Sequence, residues 1–125
     1  MKKRVLSIGQ CQPDHVMLRR LVEGRYDAEL VPAVDWDDAE RQLASGEFVL
    51  VLVNRKLDID YSDGLEIIRR LKNDARLAET PVMMVTNFAE HQQQAVAAGA
   101  AYGFGKSELG APTTHERLSE FLATA

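Results

Sequence analysis

Apolar residues in this chain gather into short runs, each closed by glycine, proline or polar residues and followed by a segment with helical spacing. Arg4 to Ile8 reads as a strand ended by Gly9, and Pro13 opens a helix to about Glu23, since proline suits the first helical position. After Gly24, residues 28 to 34 form a second strand, and Asp35 caps a helix to about Ala44 whose apolar side carries Trp36, Ala39 and Leu43. Phe48 to Val53 is apolar throughout, the pattern of a central parallel strand covered on both faces. Leu65, Ile68 and Leu71 then recur at helical spacing to about Asp74, with Arg69, Arg70 and Lys72 on the wet side. Pro81 introduces a fourth strand over 82 to 86, and Glu90 to Ala98 is a helix stopped by Gly99. Residues 101 to 104 form a fifth strand weakened by Gly103, and Thr113 or Thr114 caps a last helix through Phe121 and Leu122.

Strict alternation at this spacing implies parallel strands joined by right-handed crossovers. The expected architecture is one α/β domain over residues 1–125, a three-layer α/β/α sandwich around a five-stranded parallel sheet of flavodoxin-like (βα)5 type. In a sheet of that strand order the functional crevice lies beyond the carboxyl ends of the strands, between the first and third. Gly9 and Gln10, Asn54 and Arg55, Thr86 and Asn87, and Lys106 are the residues that fall there.

Composition narrows the function classes. A chain of 125 residues with 46% hydrophobic residues sustains a continuous core without staples. Its formal charge of -4, from intermixed acids and bases, excludes the one-sided basic surface used on nucleic acid. A single cysteine, Cys11, rules out an internal disulfide, and no Cys/His pair has zinc-finger spacing, which suits a reducing cytoplasm. The basic start, Met1 to Arg4, is followed by an apolar stretch that breaks at Ser7, Gly9 and Gln10, so no export signal is read. The longest apolar run is far below the roughly 20 residues a membrane-spanning helix needs. The expectation is a soluble, cytoplasmic protein engaging neither membrane nor nucleic acid.

The phrases at the strand ends carry a resemblance over roughly residues 4 to 122. The sequence FVLVLVNRKL…DGLEIIRRLK resembles the central strand, phospho-acceptor loop and third helix of response-regulator receiver domains, including their Asp-Gly pair at Asp63-Gly64. PVMMVTNFAE resembles that family's fourth strand ending in a switch hydroxyl, here Thr86, and AGAAYGFGK resembles the approach to its lysine, here Lys106. The resemblance implies the chemistry of two-component and phosphorelay signalling, in which phosphate passes from a kinase histidine to an aspartate at the end of strand three with the help of Mg²⁺.

The chain departs from that pattern where the chemistry lies. Asn54 stands at the acceptor position, and a neutral amide oxygen gives no stable acyl phosphate. Gly9 and Gln10 stand at the positions of the acidic pair that holds the metal; Mg²⁺ prefers carboxylate oxygens, so no metal or other cofactor is expected. No acid occurs from Met1 through Gln12 or between Glu47 and Asp58, so a small alignment shift restores neither set. The loop from Asn54 to Asp63 is two residues longer than the family's usual spacing. The switch aromatic falls at Gly103, and its neighbour Tyr102 points to the opposite face of the strand.

The leading expectation is therefore a non-enzymatic, atypical receiver: a phosphorylation-independent interaction module. Its partners are signalling proteins such as a histidine kinase or an output domain, and a homodimer is compatible with it. The surface expected to serve is that of the fourth and fifth helices with strand five. The alternative is a sensor in which Arg55, Thr86 and Lys106 bind an anionic small molecule. Asp58 or Asp60 as a substitute acceptor lies too far beyond the strand end. DIDYSDG fails the calcium-loop pattern, with Asp63 and Arg69 where Gly and Glu are required. GFGKS fails the phosphate-loop pattern, with Ala100 where its first glycine belongs. His15, His91 and His115 share no spacing and read as surface residues, Cys11 as a packed thiol at the pocket rim, and Trp36 as a packing anchor. No nucleophile-base pair is assembled from sequence alone.

Overall fold

The computed structural model describes residues 2–123, so Met1, Thr124 and Ala125 of the expected domain lie outside the described residues. Five strands alternate with five helices: β1 (Lys3–Ile8), α1 (Gln12–Arg25), β2 (Ala28–Ala33), α2 (Trp36–Ser45), β3 (Leu50–Asn54), α3 (Gly64–Asn73), β4 (Val82–Val85), α4 (Ala89–Ala97), β5 (Ala101–Phe104) and α5 (Pro112–Leu122). A short 3-10 turn at Lys106–Glu108 follows β5. The sheet order is β2-β1-β3-β4-β5 with parallel pairing throughout, the doubly wound arrangement expected from the alternation.

Two apolar layers sandwich the sheet. Leu6, Ile8, Val51, Val53 and Met84 pack against Ala39 of α2, Ile68 and Leu71 of α3 and Ala95 of α4. Val5, Leu50, Leu52, Val85 and Phe104 pack against Leu18 and Val22 of α1 and Leu118 and Leu122 of α5. Because β3 is buried on both faces, its residues read as an unbroken apolar run, as expected for a central strand.

Local chemistry sets the helix ends. Asp35 accepts the Asp38 N–H at 2.9 Å and Asp63 accepts the Leu65 N–H at 3.0 Å, each satisfying a donor that the first turn leaves free. Neither Thr113 nor Thr114 caps α5, correcting that expectation. Pro112 opens the helix, and Thr114 is buried with its hydroxyl donated to the Glu108 carbonyl at 2.6 Å. The central strand also starts two residues later than its apolar run, at Leu50. Phe48 precedes it with the Arg4 guanidinium 4.5 Å above its ring, a contact that hydropathy does not reveal.

The β4–β5 ladder is irregular: Met83 pairs with Ala101, yet Val85 pairs with Phe104. β5 therefore carries one residue more than β4 over this stretch, a bulge that directs Tyr102 outward and brings Gly103 over β4.

Candidate functional site

The carboxyl ends of β1, β3, β4 and β5 converge around Asn54. Its amide nitrogen donates to the carbonyl oxygens of Gly9 at 3.1 Å and Lys56 at 2.7 Å. Its amide oxygen accepts the Arg55 N–H at 3.1 Å and the Lys106 ammonium at 3.2 Å. A primary amide has two donor hydrogens and two acceptor lone pairs, so all four capacities of Asn54 are used. This pattern also fixes which atom is oxygen, because two carbonyls face one side and two N–H donors the other. A carboxylate here would turn an acceptor toward two acceptors.

Gly9 has φ +79, and a Cβ there would meet Leu57 Cγ at 2.5 Å, so the position excludes an acidic side chain on steric grounds. Gln10 lies at the same strand end, its buried side-chain nitrogen and oxygen without a hydrogen-bond partner among the described residues. Gly9, Gln10 and Asn54 thus supply no carboxylate, and the Asn54 amide nitrogen already donates to the Gly9 and Lys56 carbonyl oxygens. Among the described residues no group of three His, Cys, Asp or Glu side chains gathers to hold a metal. The donor set does not fit Mg²⁺.

Lys106 has a second partner that sequence reading missed. Its ammonium lies 2.6 Å from Asp14 Oδ2, a contact spanning the fold from the first turn of α1 to the turn after β5. This hydrogen bond holds the Asp14 carboxyl below its ordinary range despite its partial burial. Arg55 is likewise engaged, with Nη1 at 3.2 Å from Asp63 Oδ1. The two cations expected to bind an anion in the sensor alternative therefore each face a carboxylate. The available signal for Asp14 was its place just after Pro13, where an acid suits a helix N-terminus.

Thr86 and His91 form the opposite wall. Thr86 is 8% exposed; its Oγ1 accepts the Phe88 N–H at 3.3 Å and lies 3.2 Å from His91 Nδ1. The Phe88 ring meets the His91 ring edge-on, with centroids 5.4 Å apart. A hydroxyl-imidazole pair is thus present that spacing alone did not assemble, and His91 is drawn into the site instead of lying free on the surface. Asn54, Arg55, Thr86, Asn87, His91 and Lys106 share a cavity of about 180 Å³.

Beside it, Gln92 occupies the corner between α4 and the bulge. Its side chain is buried, with Nε2 donating to Met84 O at 2.9 Å and Thr86 O at 3.3 Å, while Oε1 accepts the Gly103 N–H at 2.8 Å. A Cβ on Gly103 would overlap the Met84 carbonyl oxygen, so no aromatic fits there. Tyr102 instead faces outward, 41% exposed, with the Arg117 guanidinium 4.5 Å above its ring. Arg117 also donates to the Gly103 carbonyl at 2.6 Å.

No family model matches the chain. Among solved structures, the chemotaxis protein CheY4 of Vibrio cholerae superposes with a TM-score of 0.76 at 18% identity, covering 98% of this chain and 100% of that one. The signal receiver domain of a DNA-binding response regulator from Colwellia psychrerythraea superposes with a TM-score of 0.79 at 22% identity, covering 95% and 97%. A two-component response regulator from Clostridium difficile gives 0.70 at 15% identity, covering 94% and 96%. The fold is that of CheY-like receiver domains, and no helix among the described residues is long and apolar enough to cross a membrane.

Proposed function

We propose that this chain is an atypical receiver module of two-component or phosphorelay signalling. It acts without phosphorylation or Mg²⁺ and presents one fixed surface to a signalling partner, either a kinase or an output domain. The observation that carries this reading is the saturated amide of Asn54: its four hydrogen bonds suit a neutral side chain and leave no nucleophilic oxygen. The Gln92 contacts support it, because they tie α4 to both β4 and β5 where a movable aromatic would need room.

The surface that fits this role runs over α4, β5 and α5. Phe88, Val96 and Tyr102 are exposed there, and the exposed residues of α4 include a single charged one, Glu90, beside Ala89, Gln93, Gln94 and Ala97. Charge depletion with exposed aromatics is the compositional mark of an interface centre. Treatment with acetyl phosphate or beryllofluoride and Mg²⁺, followed by intact mass and two-dimensional NMR, is expected to leave the protein unchanged. A Mg²⁺-dependent adduct at Asn54 or nearby overturns the proposal.

A second reading rests on the shared cavity. Arg55, Thr86, His91 and Lys106 line a space large enough for a small oxyanion, which supports the anion-sensor alternative. Calorimetry against phosphates and nucleotides separates the two: saturable binding by the wild-type chain or by its Asp14→Asn variant favours the sensor, and absence of binding by both favours the interaction module.

A further inference from the structure

Charge around the cavity is balanced by groups that do not line it. Lys106 and Arg55 are the lining cations, whereas Asp14 and Asp63, their partners, lie outside the lining. The two carboxylates differ in what else they do. Asp63 also caps α3 through the Leu65 N–H, so its place is set by the helix it starts. Among the described residues Asp14 caps no backbone group, and its side-chain partner is the Lys106 ammonium.

An ammonium has three N–H donors. Two are taken at Lys106, by Asp14 Oδ2 at 2.6 Å and Asn54 Oδ1 at 3.2 Å, which leaves one for anything inside the cavity. From this geometry we infer that Asp14 is an internal counter-ion that closes the Asn54–Lys106 cavity to external anions. Its carboxylate holds Lys106 from the α1 side and cancels the charge that would draw an oxyanion in. The lock couples α1 to the turn after β5, so whatever draws the first turn of α1 away from Lys106 opens the cavity. This inference rests on the anion reading of the cavity and adds to it the residue that sets its affinity.

The test uses inorganic phosphate and sulfate at constant ionic strength, with binding followed by calorimetry and by the NMR shifts of Thr86 and His91. Wild-type protein is compared with Asp14→Asn, Asp14→Ala and the double variant Asp14→Asn, Lys106→Gln, after circular dichroism confirms that each is folded. Both single variants are expected to bind phosphate about fivefold more tightly than wild type, the upper size of change that removing one partly exposed paired charge brings. The gain is expected to vanish in the double variant. Equal binding by wild type and the Asp14 variants overturns the counter-ion role alone. Absence of binding in all of them overturns it together with the anion reading, and a gain that survives Lys106→Gln overturns the assignment of Lys106 as the residue released.

Discussion

Gly103 donates its backbone N–H to the side-chain oxygen of Gln92 at 2.8 Å, so a helix side chain supplies the partner that the β5 bulge takes away from the strand ladder. The same amide donates to the Met84 carbonyl from its nitrogen. One buried glutamine thus satisfies both sides of a break in the sheet, and it occupies the side on which a residue larger than glycine would have to stand.

Replacing Gln92 with Leu keeps the bulk and leaves the Gly103 N–H and the Met84 carbonyl without their side-chain partner. The expected loss is about 2–4 kcal/mol, since each buried orphaned polar group costs roughly 1–3 kcal/mol. Urea unfolding at neutral pH measures it, and a change under 1 kcal/mol contradicts the role given to this residue.

Rebuilding the acids by substitution is expected to fail at two places for different reasons. Asn54→Asp turns a carboxylate oxygen toward the Gly9 and Lys56 carbonyls and costs about 1–3 kcal/mol at neutral pH. The penalty shrinks on acidification, because the protonated acid regains a donor. Gly9→Asp meets Leu57 and a left-handed backbone angle together, for about 2–4 kcal/mol. Thermal melts of the two variants between pH 4 and 8 check both signs.

His15 and Asp14 contribute to the acid sensitivity of the fold in separate windows. Burial holds His15 below its ordinary value of 6.5, so the unfolded chain takes up that proton first and stability falls once pH drops through 6.5. Asp14 is also held low, chiefly by the Lys106 hydrogen bond; its contribution is present above its ordinary value of 3.8 and is lost as pH falls below it. Unfolding measured from pH 8 to 3 should show His15→Gln flattening the upper window, with Asp14→Asn differing from wild type only above the lower one. A flat profile for wild type between pH 7 and 5 counts against the His15 assignment.

The exposed α4–β5–α5 surface gives a fourth expectation. Val96→Glu with Tyr102→Glu places charges on this surface without touching the core, and removes the ring under the Arg117 guanidinium, so stability should change by no more than about 1 kcal/mol. Association, whether with a second copy in sedimentation or with a cognate kinase in calorimetry, should weaken by at least tenfold. Unchanged association with both partners removes this face from consideration.

Much of the fold was legible because its signals are local and repeated: the β3 run, the α3 spacing and the acidic caps at Asp35 and Asp63 each reappear in the structure. The strand ends were legible for the same reason, and Asn54, Thr86 and Lys106 do converge at one end of the sheet. Asp14, His91 and Gln92 were not, because each acquires its role from a partner distant in sequence or from the face on which it lands. Nothing in the run Gln92-Gln93-Gln94 distinguishes the buried residue from its two exposed neighbours except a helix phase that Ala95 alone shares. The bulge was equally hidden, since an extra residue in one strand is defined only against its neighbour.

β5 is the last strand of the sheet, where main-chain groups are ordinarily open to pairing with another chain. Here Arg117 covers the Gly103 carbonyl, so the row of main-chain groups along this border is interrupted at that residue. A foreign strand extending the sheet along this border would have to displace Arg117 from the Gly103 carbonyl first, beside the Tyr102 ring that the same guanidinium covers.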